Sequence, residues 1–219
     1  MNNGENTKMT FVQKLENYWY HYKWQTIIGI FALCTLAVCI SQCSSRSEPD
    51  AMIMFAGNYK VLNETRDVPL EAVMSEDYNG DGEKRADVFQ LVLVISGNQD
   101  GYEYYDPVSQ TEELQRLDIE FSSGNSVVYI LHPYIYSQYR NVMRPLSEVL
   151  TEVPEYAIDE YGIPLSALAA YELTTLNAYP ADAILCVRNM RTEDNFITRA
   201  DDKEYYENNV KFFRELVEY

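Results

Sequence analysis

The chain has 219 residues, 47% hydrophobic and 23% charged, which excludes an intrinsically disordered protein and allows about one or two domains. Its formal net charge of −17 argues against a nucleic-acid partner, because phosphate binding requires a basic face. The same acidity suits a solvated surface that collects cations.

The chain opens on an amphipathic leader. Phe11, Leu15, Tyr18 and Tyr22 recur at i, i+4, i+7 and i+11, the spacing of one helix face. Residues 1–24 therefore read as a cytoplasmic juxtamembrane segment whose apolar face lies along lipid headgroups. From Thr26 to Ile40 the sequence TIIGIFALCTLAVCI carries no charge and no proline. Ser41, Gln42 and Cys43 extend it to about eighteen residues, the lower end of a bilayer-spanning helix. Just before it, YWYHYKW (18–24) supplies rings of the kind that gather at a membrane interface. Residues 25–43 are expected to be a transmembrane helix, continuous with the leader from about residue 8.

Flanking charge sets the expected orientation. Lys8, Lys14 and Lys23 precede the span and Arg46 is the sole nearby cation after it, so the N-terminus is placed in the cytoplasm and residues 44–219 outside the cell membrane. That outer part holds 14 Lys+Arg and 32 Asp+Glu, the whole acidic excess. A cleaved signal peptide is the rival reading, but its charged region would be long and no small-x-small site follows the apolar run. Cys34 and Cys39 lie inside the span, Cys43 at its outer end and Cys186 alone far downstream, which is neither a disulfide framework nor a metal-ligand spacing. Lipidation at Cys39 or Cys43 is the minor alternative. LAVC (36–39) and CISQC (39–43) distantly resemble a lipoprotein motif, with Val38 and Gln42 where small residues belong.

SSRSEPD (44–50) is a linker, and residues 51–219 form the expected extracytoplasmic acidic domain. Four apolar runs read as buried strands: AMIMFAG (51–57), VFQLVLVIS (88–96), SVVYILH (126–132) and DAILCVR (182–188). Between them PLEAVMSE (69–76), TEELQRL (111–117) and PYIYSQYRNVM (133–143) read as helices, the last with Ile135, Tyr139 and Val142 on one face. Pro145 ends that helix or begins the next, PLSEVL. At the C-terminus Tyr206, Val210, Phe213 and Val217 mark the apolar stripe of a final helix. Strands alternating with helices predict an α/β domain with a mainly parallel sheet of about four or five strands flanked by helices.

Chemistry is sparse. DYNGDGEKRAD (77–87) supplies Asp77, Asn79 and Asp81 at positions 1, 3 and 5 of a calcium-type loop, then Gly82 for the sharp turn and the Glu83 carbonyl at position 7. Position 12, where a bidentate acid belongs, is Val88. The nearest acid is Asp87, one place early, and a strand follows where a calcium loop would lead into a helix. Over about six residues the loop resembles EF-hand and dockerin loops, which makes Ca²⁺ the candidate cofactor. A plain polar turn built on Asn-Gly and Asp-Gly is the competing reading. His132, at the carboxyl end of a predicted strand, stands where open α/β sheets bind ligands. Tyr134, Tyr136 and Tyr139 follow it as a candidate ligand or partner face, and Tyr102, Tyr104 and Tyr105 form a second cluster. No nucleophile elbow, zincin, dinucleotide or P-loop motif occurs.

The juxtamembrane NYWYHYKWQTI entering a single span, together with D-x-NGDG before a strand, resembles uncharacterised single-pass membrane proteins of Firmicutes. SGNSVVYILHPYIYSQYRNVMRPL (123–146) is similar to the strand-to-helix segment of extracytoplasmic solute-binding proteins. That resemblance implies one solute-binding-like α/β lobe, and the outer part is short for the usual two. The expected function is that of a membrane-anchored extracytoplasmic binding or interaction protein, its partners being the bilayer and another envelope protein or a small ligand. The alternatives are a hydrolase using His132 with nearby acids, or a structural subunit of an envelope complex. A carboxylate or serine within reach of His132 in a pocket favours the enzyme. A shallow, Tyr-lined face with His132 packed away favours the binding module, and an exposed apolar patch on the outer domain the subunit.

Overall fold

No proline interrupts the chain between Phe11 and Ser44, and in the computed structural model these residues form one helix, α1. The structure describes residues 11–44, 49–61, 69–97, 103–105, 108, 110–123, 126–190 and 203–219. The chain divides into two units, Met1–Ser47 and Glu48–Tyr219. In the first, the stretch Tyr18–Ile40 has a mean hydropathy of 1.7 with none of it buried, so α1 is long and apolar enough to cross a membrane. Its two threonines satisfy their hydroxyls internally. Thr26 Oγ1 donates to the Tyr22 carbonyl and Thr35 Oγ1 to the Phe31 carbonyl, each at 2.9 Å, as a helix without polar neighbours requires. The linker around residues 45–48, the side chains of Phe11, Leu15 and Cys43, and residues 1–10 lie outside the described parts.

The second unit is built on a sheet of five strands. These are β1 (Ala51–Gly57), β2 (Ala86–Val92), β5 (Val128–Leu131), β6 (Gly162–Pro164) and β7 (Ile184–Val187), in the order β2-β1-β5-β7-β6. A separate antiparallel ribbon pairs β3 (Ile95–Gly97) with β4 (Glu103–Tyr105). The helices are α2 (Thr111–Ser123), α3 (Pro133–Tyr139), α4 (Leu146–Val149), α5 (Ala169–Leu173) and α6 (Lys203–Glu218). The segment 69–76 holds only a short 3₁₀ turn, Leu70–Val73, and α2 continues past the predicted end to Ser123.

The expectation of a mainly parallel sheet is corrected. β1 pairs in parallel with β2 and β5, but β7 runs antiparallel to both β5 and β6, so the sheet is mixed. The cause lies in the β6–β7 connection. After β6 the chain makes a helical excursion through α5 and returns to the end of the sheet it left. There Leu165 N donates to Ala183 O at 2.7 Å and Ser166 N to Ala181 O at 3.2 Å. A chain that re-enters the sheet at the end it left runs the next strand in reverse.

Side chains alternate across the sheet and bury both faces. Ile53, Phe55, Val128, Ile130, Leu185 and Val187 face one core with Val210, Phe213 and Leu216 of α6. Met54, Tyr129, Leu131 and Cys186 face the other core with Leu117 and Phe121 of α2 and Ile135 of α3. Both β5 and β7 are buried along their whole length, which is why they read as unbroken apolar runs. α6 is also tied to β1 by a polar contact. The fully buried Asn209 accepts from Met52 N at 2.9 Å through Oδ1 and donates to Tyr205 O at 2.8 Å.

Candidate functional site

The acidic loop is closed by its own side chains. Asp77 Oδ1 accepts from Asn79 N at 3.1 Å and Gly80 N at 2.8 Å, and Oδ2 accepts from Gly82 N at 2.6 Å. Asn79 Oδ1 accepts from Asp81 N, and Asp81 Oδ1 from Glu83 N, both at 2.9 Å. Gly80 and Gly82 hold positive φ, 76° and 92°, which side chains rarely tolerate. These backbone N–H bonds, Gly82's first, hold the Asp77 carboxyl below its ordinary range. Glu83 is exposed, and Asp87 lies on β2, where Arg85 Nη2 approaches its Oδ2 at 3.6 Å. The first half of the calcium pattern thus forms a nested turn, while Asp87 is engaged elsewhere. Among the described residues, no group of three His, Cys, Asp or Glu side chains is arranged to hold a metal ion.

Two carboxylates that the motif does not contain fix this loop to the fold. Asp50, only 2% exposed, precedes β1 and accepts from Tyr78 N at 3.0 Å, Asn79 N at 2.8 Å and Arg85 N at 2.9 Å. Glu215 of α6 accepts from Ser75 N at 2.7 Å, and from Ser75 Oγ and the Tyr78 hydroxyl at 2.5 Å each. Burial works to raise the Glu215 pKa, but the bonds from Ser75 and Tyr78 and the nearby Lys211 outweigh it and bring it down. Lys211 pairs with Glu76 and lies 4.7 Å over the Tyr78 ring.

His132 follows β5 at a topological switch point. β2 lies on one side of β1 and β5 on the other, so the carboxyl ends of β1 and β5 flank the crevice where open sheets take ligands. His132 is nevertheless closed off, 7% exposed. Its N–H extends the ladder to Ala56 O at 2.8 Å, and its Nδ1 caps α3 by accepting from Tyr134 N at 3.2 Å. Glu103 Oε2 stands 3.9 Å from Nδ1, outside hydrogen-bond distance.

The tyrosines after His132 diverge. Tyr136 is buried and its hydroxyl donates to Asp159 Oδ1 at 2.6 Å. Burial first, and then the Asp159 carboxylate, push the phenol's pKa upward. Tyr139 donates to Asp118 Oδ1 at 2.5 Å and stacks on Phe121 with ring centroids 4.1 Å apart, fastening α3 to α2. Tyr134 is half-buried at the start of α3. His132 and the three tyrosines therefore share a helix but not one open face. Tyr102 lies outside the described residues, as do the side chains of Tyr104 and Tyr105.

A different set of groups lines an open concavity of the unit. Ser137, Gln138, Arg140 and Asn141, from α3 and the turn after it, face Glu160 and Tyr161 across a shallow depression of about 530 Å³. Asp159 organises its edge. Besides Tyr136, its Oδ1 accepts from Tyr161 N at 2.8 Å and Gly162 N at 3.1 Å, while Oδ2 pairs with Arg140 Nε at 3.0 Å. The Arg140 guanidinium sits 5.2 Å over the Tyr161 ring. Sequence reasoning missed this group, although Asp-x-Tyr-Gly before Ile-Pro is an Asx-turn signal.

Comparison with known protein families, curated proteins and solved structures returns no match to this chain.

Proposed function

We propose that the chain is a single-pass membrane protein, N-terminus cytoplasmic, that holds an acidic α/β unit outside the cell membrane as a binding or interaction module. The observation that carries this reading is the surface of α1. Tyr18, Trp19, Tyr20, Tyr22 and Trp24 ring the start of the 23-residue stretch Tyr18–Ile40, and Ile28, Phe31, Leu33, Leu36 and Ile40 stay exposed along it. A continuous apolar surface of this length is stable in a bilayer and aggregates in water. The flanking lysines support the orientation.

Binding is favoured over hydrolysis because His132 Nδ1 is spent on the α3 cap and His132 has no hydrogen-bonded carboxylate among the described residues. One observation favours a subunit of an envelope complex as the second reading. The edge strand β2 and the residues after it expose Phe89, Val92 and Val94. In both readings the Asp77 loop is a structural connector, a polar turn whose side-chain oxygens close it on its own backbone, with weak Ca²⁺ binding the competing proposal.

Expression of the tagged full chain in a bacterium tests the anchor. It should stay in the membrane pellet after alkaline carbonate extraction, and protease added to spheroplasts should remove the C-terminal unit. Release by carbonate, or a C-terminal unit protected in intact spheroplasts, would overturn the reading.

A further inference from the structure

We infer that the depression between α3 and the turn preceding β6 is a saccharide-binding site. The inference rests on the binding reading above and names its ligand class. Four physical features carry it.

Size and shape come first. At about 530 Å³ the depression falls within the roughly 300–1,000 Å³ of small-ligand sites, yet it is open rather than enclosed. An open shallow site suits the end or a short segment of a larger chain. A metabolite that must be wrapped on all sides would find little cover here.

The lining chemistry is the second feature. Gln138, Asn141, Ser137 and Glu160 present donors and acceptors side by side, with the Arg140 guanidinium beside them. Adjacent ring hydroxyls, each both donor and acceptor, match such planar amide, carboxylate and guanidinium groups in pairs. Ser137 Oγ already donates to Tyr134 O at 2.7 Å and Arg140 is held by Asp159, so the spare capacity is that of Gln138, Asn141 and Glu160. Gln138 makes one long contact to Ser137 Oγ at 3.4 Å, and the Asn141 side-chain amide has no hydrogen-bond partner among the described residues.

Third, the charge excludes the main competitor. Arg140 is neutralised by Asp159 at 3.0 Å, which leaves Glu160 as the uncompensated charge. A phosphate or carboxylate ligand would meet net repulsion, whereas a neutral polyol meets none.

Finally, the site is preorganised. Asp159 is locked by three donors to Oδ1, and it locks Arg140 in turn against Tyr161. The Tyr161 ring beside Arg140 offers the C–H face of a pyranose an apolar surface, and these two side chains lose little freedom on binding.

The test uses the full chain in phosphatidylcholine nanodiscs, since a maltoside detergent would itself present sugar. Saturation-transfer NMR is recorded with cellotriose, maltotriose and triacetylchitotriose, each at about 5 mM, matching the millimolar affinity expected of an open site. At least one trisaccharide should receive transfer. The Gln138→Ala/Asn141→Ala double variant, whose side chains hold no part of the core, should weaken binding about tenfold. Excess inorganic phosphate should not compete. Absence of transfer to all three sugars, equal transfer with the double variant, or displacement by phosphate would each overturn the inference. Entry into the nanodisc is scored separately, so failure of the membrane reading is distinguishable from failure of the sugar site.

Discussion

Removing the Asp50 carboxylate probes the reasoning about the acidic loop most directly. Asp50→Ala takes away an acceptor that holds Tyr78 N, Asn79 N and Arg85 N at 2.8–3.0 Å from a position almost sealed from water. Asn79 N keeps a second acceptor in Asp77 Oδ1, so the loss is greatest at Tyr78 and Arg85. A hydrogen bond to a charged group contributes about 1.5–3 kcal/mol, and rehydration of an exposed loop returns part of it. Two such bonds at the lower figure give a destabilisation of about 3 kcal/mol. For a unit of this size each kcal/mol lowers Tm by about 2–4 °C, so the variant should melt about 6–12 °C lower. Asp50→Asn, which keeps one acceptor oxygen, should lose about half as much. Thermal unfolding of the full chain in micelles, followed by near-ultraviolet circular dichroism, measures the shift. Hydrogen exchange at Tyr78, Asn79 and Arg85 then localises it. A Tm drop below about 2 °C, or unchanged exchange at those amides, would refute the view that Asp50 holds the loop.

Three further outcomes follow from the same geometry. Gly162→Ala should destabilise by about 1–3 kcal/mol in denaturant titration, because its Cβ would sit 2.6 Å from Ile184 Cγ2 and 2.7 Å from the Tyr136 hydroxyl; an unchanged midpoint would mean the β6–α3 contact is looser than described. Glu215 has a folded pKa below its ordinary 4.5, so it contributes stability above that pH and loses it as pH falls through the lowered value. Glu215→Gln should therefore flatten the acid limb of the Tm–pH curve, and a limb identical to the parent's would assign it to other carboxylates. Calcium at about 1 mM should raise Tm by no more than about 2 °C, and Asp81→Ala should abolish the rise; no shift at about 10 mM would remove the cation altogether.

Much of the fold was legible because burial leaves a mark on composition. β1, β5 and β7 are covered on both faces, and each appears as an unbroken apolar run. Strand direction leaves no such mark. DAILCVR is equally apolar whichever way it runs, and what reverses β7 is the return of the chain after α5 to the end of the sheet it had left. β6 was invisible for a different reason. Gly-Ile-Pro has one apolar side chain, and its glycine is there because Tyr136 and Ile184 leave no room for a Cβ. The run 88–96 was read as one strand although it spans two, β2 and β3, because apolar content continues through the break.

The candidate sites were less legible because one residue type serves two physical ends. Asp, Asn and Gly at alternating positions present oxygens to a cation, and they also present oxygens to backbone N–H groups in a tight turn. In DYNGDG the second use is realised at all three side chains. What separates the two is the partner each oxygen finds, and that partner can lie far away in the chain. Asp50 is 35 residues from Arg85, and Glu215 is 140 from Ser75, so no local pattern contains them. The same holds for His132, whose place at a strand's carboxyl end was readable while its closure was not. A strand end identifies where a ligand site can form, but the cap His132 makes to Tyr134 leaves its Nδ1 occupied. A concavity instead opens beyond α3, where Asp159 gathers Tyr136, 23 residues away, with Arg140 and the turn at Tyr161. That depression thus lies away from the sheet's switch point, on the flank of the unit.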